Sequence, residues 1–371
     1  MKHPSRRAVE VETLAEFDRR TRTGTRALAG WQVQDVDLRE RTEVLRGVDP
    51  RDALFLGCPM HPEVEDELRS RGALVFPTVP DVPLDVYRSR LYTPDELYAG
   101  LDRGYGRTLD ARTYAWTRRS GQLLRDRLAQ ALHDLAIDDA LEELVRARHM
   151  VGVMGGHGVV RGSAAYLTAA ELGRSLTRAG LTVATGGGPG AMEAANLGAH
   201  LAGHDDTVLD EALGMLSRAP AFTPSVTRWA EAAFDVRRRW PSRSRSLGVP
   251  TWYYGHEPPN VFASDVAKYV RNAIREDVLL HLCAAGIVFL PGLAGTVQEV
   301  FQDACDNYYA HPAGIAPMVL VGTAYWTDEL PVWPLLRTLA ADREMAGSVH
   351  LVEEVDDALA VLSGPDGRLL K

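Results

Sequence analysis

The stretch Ile287-Val288-Phe289-Leu290-Pro291-Gly292-Leu293-Ala294-Gly295-Thr296-Val297-Gln298-Glu299 decides the fold. Its opening apolar run has the character of a strand buried on both faces. The Pro-Gly turn that follows allows close backbone approach, and helical spacing begins at about Thr296 and continues to Tyr309. Such a turn gathers unpaired amides and the positive end of a helix dipole at one spot, which favours an anionic phosphate. Gly292 and Gly295 permit the approach, Thr296 adds a hydroxyl, and Glu299 is expected to share its face in the first helical turn. Thr-x-x-Glu is equally the signature of a capping box, so the tetrad alone also has a purely structural reading.

Outward from this stretch, strand-like runs recur at Met150–Met154, Leu181–Thr185, Gly286–Leu290, Pro317–Val321 and Val349–Val352. Helical patterns lie between them at Ala164–Arg178, Ala191–Ala202, Ala263–Cys283 and Thr296–Tyr309. Continuous apolar strands alternating with amphipathic helices imply an α/β fold, a Rossmann-like doubly wound parallel sheet that binds ligands at the carboxyl ends of its strands. A second glycine loop, Thr185-Gly186-Gly187-Gly188-Pro189-Gly190-Ala191-Met192, also follows a strand and opens a helix. Gly187, Gly188 and Gly190 suit close contact with a sugar phosphate; a tight strand-to-helix turn is the plainer alternative. A third, Gly155-Gly156-His157-Gly158, lacks GxGxxG spacing and a ribose-clamping acid, which counts against a nicotinamide cofactor.

A chain of 371 residues exceeds one ordinary core,. Residues 1–145 read as a smaller N-terminal α/β domain, and residues 146–371 as the Rossmann-like domain. The first has strands at Ala53–Gly57 and Ala73–Pro77 around a helix at Glu63–Arg71, and a helix start at Thr93-Pro94-Asp95-Glu96,. Helix-like sequence from Arg118 to Arg148 joins the halves. No run approaches the ~20 apolar residues of a membrane span, and Arg6-Arg7 have no apolar segment behind them, so a cytoplasmic protein is expected. The three cysteines lack CxxC spacing, which counts against a disulfide framework and a cysteine zinc site,. A net charge of −9 argues against nucleic acid as a partner,. Lys268 is the one lysine away from the chain ends, which makes a pyridoxal-phosphate enzyme improbable,.

Gly186-Gly187-Gly188-x-Gly190-x-Met192, followed about a hundred residues later by Pro291-Gly292-x-x-Gly295-Thr296-x-x-Glu299, resembles the Lonely Guy family of phosphoribohydrolases. The resemblance runs from about Arg148 to Glu354. It implies hydrolysis of the N-glycosidic bond of a nucleoside 5′-monophosphate to base and ribose 5-phosphate, with no metal or organic cofactor and in a homodimer. It also implies a catalytic pair, Glu299 and Arg275, and nucleotide contacts from Gly187, Gly188, Gly190, Met192, Gly292, Gly295 and Thr296. Leu293 stands where the family has its second glycine, Arg275 is displaced by one residue, and residues 203–252 exceed the family's corresponding segment. A nucleotide or molybdenum-cofactor carrier, or a single-stranded DNA-binding protein, is the rival reading.

Further substrate contacts are expected from Gly155, Gly156, Asn260 and Arg271. Lys268, Arg271 and Arg275 would form a cationic stripe on one helix, with Asn272 and Glu276 beside it. Its position in a helix first turn suggests that Glu299 is ionised. The aromatics of Trp252–Asn260 can stack on a base or pack a strand end. The basic run Arg237–Arg239 with Arg243 and Arg245 reads as a phosphate clamp or a solvated loop, and His200 and His204 as surface histidines.

Overall fold

The computed structural model describes residues 9–120, 123–146, 148–253 and 257–363. The chain divides into two compact units: residues up to Arg90 with Arg119–Ala140, and Leu91–Arg118 with Leu141 onward. Among the described residues no helix is long and apolar enough to cross a membrane.

The first unit holds strands β1 (Val9–Val11), β2 (Trp31–Gln34), β3 (Leu54–Leu56) and β4 (Leu74–Phe76) in a parallel sheet of that order. Helices α1 (Leu14–Arg22), α2 (Thr42–Gly47) and α3 (Pro62–Ser70) connect them. Thr13 caps α1, its hydroxyl accepting from the Glu16 amide at 3.2 Å,. Phe17 on α1 meets Trp31 edge to face, with Val33, Phe55 and Leu68 completing the core,. β1 and β2 add to the two strands expected from sequence. Each is short, and both alternate apolar with polar residues, so neither offers a continuous apolar run.

Along the chain, α4 (Pro94–Leu97), α5 (Leu109–Ser120) and α6 (Leu124–Val145) follow the strands of the first sheet. Tyr92 exchanges backbone hydrogen bonds with Val266, which ties the start of residues 91–118 to the second sheet.

That second sheet contains β5 (Met150–Met154), β6 (Thr182–Thr185), β7 (Leu247–Gly248), β8 (Asp265–Val266), β9 (Ile287–Phe289), β10 (Met318–Val321) and β11 (Val349–Val352). All are parallel, in the order β11-β10-β9-β5-β6-β7-β8. The chain thus winds outward from β5 to β8, returns to the middle at β9 and winds the other way. This is the doubly wound Rossmann-like arrangement. β5 and β9 are fully buried, as their apolar runs demand,.

The crossovers include α7 (Ala164–Arg178), α8 (Ala191–Leu201), α9 (Thr207–Leu216), α10 (Val226–Arg239), α11 (Asn272–His281), α12 (Ala294–Tyr309) and α13 (Val332–Ala340), with α14 (Val355–Ser363) last. Right-handed crossovers place helices of the two winding directions on opposite faces. α7 and α8 form the closest helix pair. A Cβ on Gly198 would sit 2.7 Å from the Arg174 amide nitrogen, and one on Gly173 would sit 2.7 Å from the Ala195 carbonyl carbon. Backbone cannot yield as a side-chain tip can. Gly198→Ala should therefore lower stability by about 1–3 kcal/mol, the usual cost of overpacking, read as a reduced urea midpoint.

Candidate functional site

Three loops meet where the winding reverses. β5 and β9 pair directly, yet their following loops lead away in opposite directions, so a crevice opens above their carboxyl ends,. The loop after β5 is the middle one. Its Gly156 N–H donates to Pro291 O at 3.1 Å, and Gly156 O accepts from the Ala191 amide at 3.1 Å. Gly190, at φ 77°, occupies a conformation that L side chains rarely adopt, with Gly156 O against it,. At Gly292 a Cβ would lie 2.8 Å from Thr296 Cβ and 3.0 Å from Gly156 N. These glycines let three backbones touch.

A cavity of about 540 Å³ opens beside this junction. Its walls include Gly155, Gly156, Met192, Arg275, Gly295, Thr296 and Glu299, all anticipated from sequence. Gly187, Gly188, Gly190 and Gly292 are not in its walls and shape the loops behind them.

α12 begins at Ala294, two residues earlier than expected, with Leu293 at its N-cap position and no side-chain cap. Thr296 is therefore no capping residue, and Glu299 belongs to the second turn. The first helical amide with a backbone partner is Val297, donating to Leu293 O at 3.0 Å. The amides of Ala294, Gly295 and Thr296 have no carbonyl within the helix to reach, and all three residues line the cavity,. Amides at a helix start have the polarity that suits an anion. Leu293, at φ −93°, needs no glycine there and leaves its side chain 73% exposed.

Behind the amides lie the charges. Arg275, in the first turn of α11, is buried; its Nε donates to Val249 O at 2.7 Å. Its Nη1 pairs with Glu276 Oε2 and lies 3.7 Å from Glu299 Oε1, so one guanidinium edge serves two buried carboxylates. Gly186 lacks the Cβ that would strike this guanidinium. Burial pushes the Glu299 carboxyl up to about 7, with Arg275 pulling it down and Glu276 adding to the rise,. The sequence suggested an ionised Glu299; desolvation overrides the helix dipole. At neutral pH the group holds its proton part of the time and can donate it. One turn on, Asp303 is pushed up to about 8 by burial, with Asp306 adding to it.

The cationic stripe does not form. α11 starts at Asn272, so Lys268 lies in extended chain after β8, and Arg271, at the N-cap position, is exposed outside the cavity walls. Lys268 is buried, its Nζ 2.6 Å from Asp110 Oδ1 and 5.1 Å above the Trp252 ring. Trp252 donates through Nε1 to the same Asp110 oxygen at 2.8 Å. Burial lowers the lysine's pKa, opposed by Asp110.

Asn260 lies outside the cavity walls and braces the loops behind them. Its Nδ2 donates to Asn196 Oδ1 at 2.9 Å and Gly188 O at 3.3 Å, while its Oδ1 accepts from the amides of Phe262 and Ala263, each at 3.1 Å. The Nδ2 end of the buried amide holds the glycine loop, and the Oδ1 end closes Asn260's own turn. The basic run is also engaged. Arg237 meets Asp95 at 3.1 Å, Arg239 meets Glu211 at 3.2 Å, and Arg245 meets Asp265 at 2.6 Å. His200 and His204 donate to the carbonyls of Trp240 and Pro241. Of the aromatic segment, residues 254–256 lie outside the described residues. Glu257, in the cavity wall with His157 Nδ1 3.8 Å from its carboxylate, had no role in the sequence reading. A carboxylate after an aromatic run has no motif to mark it.

Carboxyl groups with raised native pKa bind protons more tightly folded than unfolded. Stability should therefore fall as pH rises from about 4 through the native values of about 7 for Glu299 and about 8 for Asp303,. Asp303→Asn should flatten the upper part of that fall in urea unfolding followed from pH 5 to 9; an unchanged slope would contradict a buried, proton-holding Asp303.

No protein-family model matches the sequence. A search of curated proteins gives no match either. Among solved structures, the molybdenum cofactor binding protein of the phototrophic bacterium Rippkaea orientalis is 16% identical over 57% of this chain and 93% of its own, with a TM-score of 0.35. The Moco carrier protein of Chlamydomonas reinhardtii is 19% identical over 58% of this chain and 96% of its own, with a TM-score of 0.36. The protein designated TM1055 is 22% identical over 56% of this chain and 95% of its own, with a TM-score of 0.38.

Proposed function

We propose that this chain hydrolyses the N-glycosidic bond of a nucleoside 5′-monophosphate, releasing the base and ribose 5-phosphate. The observation that carries the reading is the shared guanidinium: Arg275 Nη1 stands between Glu276 and Glu299 in a cavity whose rim offers unpaired helix amides. A passive phosphate site has no need of two carboxylates beside the anion. The paired glycine motifs, with their resemblance to phosphoribohydrolases, support the same reading, and a homodimer is proposed on that resemblance.

In this scheme the 5′-phosphate sits on the amides of Ala294, Gly295 and Thr296, where the helix dipole favours it. Water adds to C1′ while the C1′–N bond breaks and its electron pair leaves with the base. Positive charge grows on the sugar as the bond stretches, and the Glu276 carboxyl group, paired with Arg275, lowers its energy,. The departing nitrogen takes the proton of Glu299, and the proton of the added water leaves to solvent. Arg275 holds both carboxylates in place, and its own position is fixed by Val249 O.

Glu299→Gln should reduce base release by about 10²–10³-fold, the scale for one preorganised electrostatic group, while nucleotide binding persists. A panel of nucleoside monophosphates, with the matching unphosphorylated nucleosides as poor substrates, is the assay. Near-normal turnover by the variant would remove Glu299 from the mechanism. Binding without base release across the whole panel, at enzyme concentrations near those of substrate, would turn the reading to a carrier.

Glu276→Gln removes a charge that raises the Glu299 pKa and frees Arg275 to act on Glu299 alone. The alkaline limb of the kcat/KM–pH profile, where Glu299 loses its proton, should move to lower pH. A limb that stays in place would separate Glu276 from that proton.

A further inference from the structure

We propose that a second cavity, adjoining the first at His157, receives the flat heteroaromatic ring of the same ligand; this rests on the phosphoribohydrolase reading of the first. The cavity measures about 250 Å³ and counts His157, Val160, Pro189, Phe222 and Trp229 among its walls. His157 is also a wall of the first cavity. At this size it falls short of the ~300–1,000 Å³ of a whole ligand site and suits one part of a divided ligand.

Its chemistry selects the part. Phe222 and Trp229 meet at 73° with centroids 6.4 Å apart, and Val160 on the rim is 46% exposed. Beneath them Arg161 and Glu193 form a buried pair: Nε donates to Glu193 Oε2 at 2.9 Å, and Nη1 to Trp229 O at 3.0 Å. The guanidinium carbon sits 4.5 Å from the Trp229 ring centroid. The charged groups of the floor therefore answer one another, and an incoming phosphate or carboxylate would find no unpaired cation there. An uncharged ring gains from the aromatic and aliphatic walls. Phe222 and Trp229 come from the long 203–252 segment, so this wall belongs to the part of the chain that departs from the Lonely Guy pattern. With the Arg161–Glu193 pair closed on itself, recognition rests on shape, and a shape-based pocket separates similar rings only ~10–200-fold. More than one base should be accepted.

The test titrates wild type, Phe222→Ala and Val160→Asp with adenosine monophosphate, adenine and ribose 5-phosphate by calorimetry. Loss of an aromatic wall against the ring should make Phe222→Ala weaken adenosine monophosphate and adenine about tenfold. Val160→Asp, at an exposed rim position, should weaken them in the same direction. Ribose 5-phosphate should bind all three proteins alike, which also reports that the variants are folded. Unchanged affinity for adenine and adenosine monophosphate in both variants, or no adenine binding to wild type, overturns the proposal. If ribose 5-phosphate fails to bind wild type while adenine binding depends on Phe222, the reading of the first cavity fails and the ring site stands.

Discussion

Backbone contact at Gly156 is the constraint from which the larger unit's site follows. Its N–H reaches the loop after β9, and its C=O receives the first amide of α8. Any side chain at Gly190 or Gly292 would push these loops apart. The spacing between α8 and α12, and hence the width of the cavity, is set by main-chain hydrogen bonds instead of by adaptable side chains. Both polar groups of Gly156 are engaged in this junction, so Gly156 itself has none left for an anion. That capacity falls to α12, whose first amides no other loop occupies.

The interior of the cavity is unbalanced in charge. Glu257, Glu276 and Glu299 share the walls with Arg275, whose guanidinium already faces the last two. An anion bound at the rim meets helix amides; anything deeper meets carboxylates. Such a gradient has little to attract a uniformly anionic ligand, but it suits a molecule that is anionic at one end and becomes cationic at the reacting end. Under the proposed reaction, a charge that develops only during bond breaking would meet these carboxylates, which is where binding energy accelerates a reaction. The raised pKa of Glu299 belongs to the same imbalance: a carboxyl in dry surroundings, with a second carboxyl group competing for its counter-ion, keeps its proton to higher pH than an exposed one,.

The central strands were legible in the sequence because burial on both faces leaves an uninterrupted apolar run, and the glycine loops because crowding at positions such as Gly190 and Gly292 leaves no room for a side chain. The segment Ala263–Val270 misled for a related reason. Its apolar residues suit a buried helix or a buried strand equally, and length alone favoured the helix. Tyr269 N instead donates to Pro250 O at 3.0 Å, so this chain runs extended along the sheet edge. The roles of Asn260 and the arginine run were hidden by distance along the chain. Asn260 finds Gly188 and Asn196, and Arg237 finds Asp95, only after folding. The protonation of Glu299 depends on desolvation, which no local spacing records.

Lys268 carries a practical consequence. The chain has three lysines, and the other two are Lys2 and Lys371. The ε-amine of Lys268 is enclosed beside Asp110 and the Trp252 ring. Acylating dyes, biotin esters and aldehyde-coated supports need an accessible neutral amine, which the enclosed Lys268 does not present. Reaction of this amine would therefore mark an opening of the chain around Asp110 and Trp252.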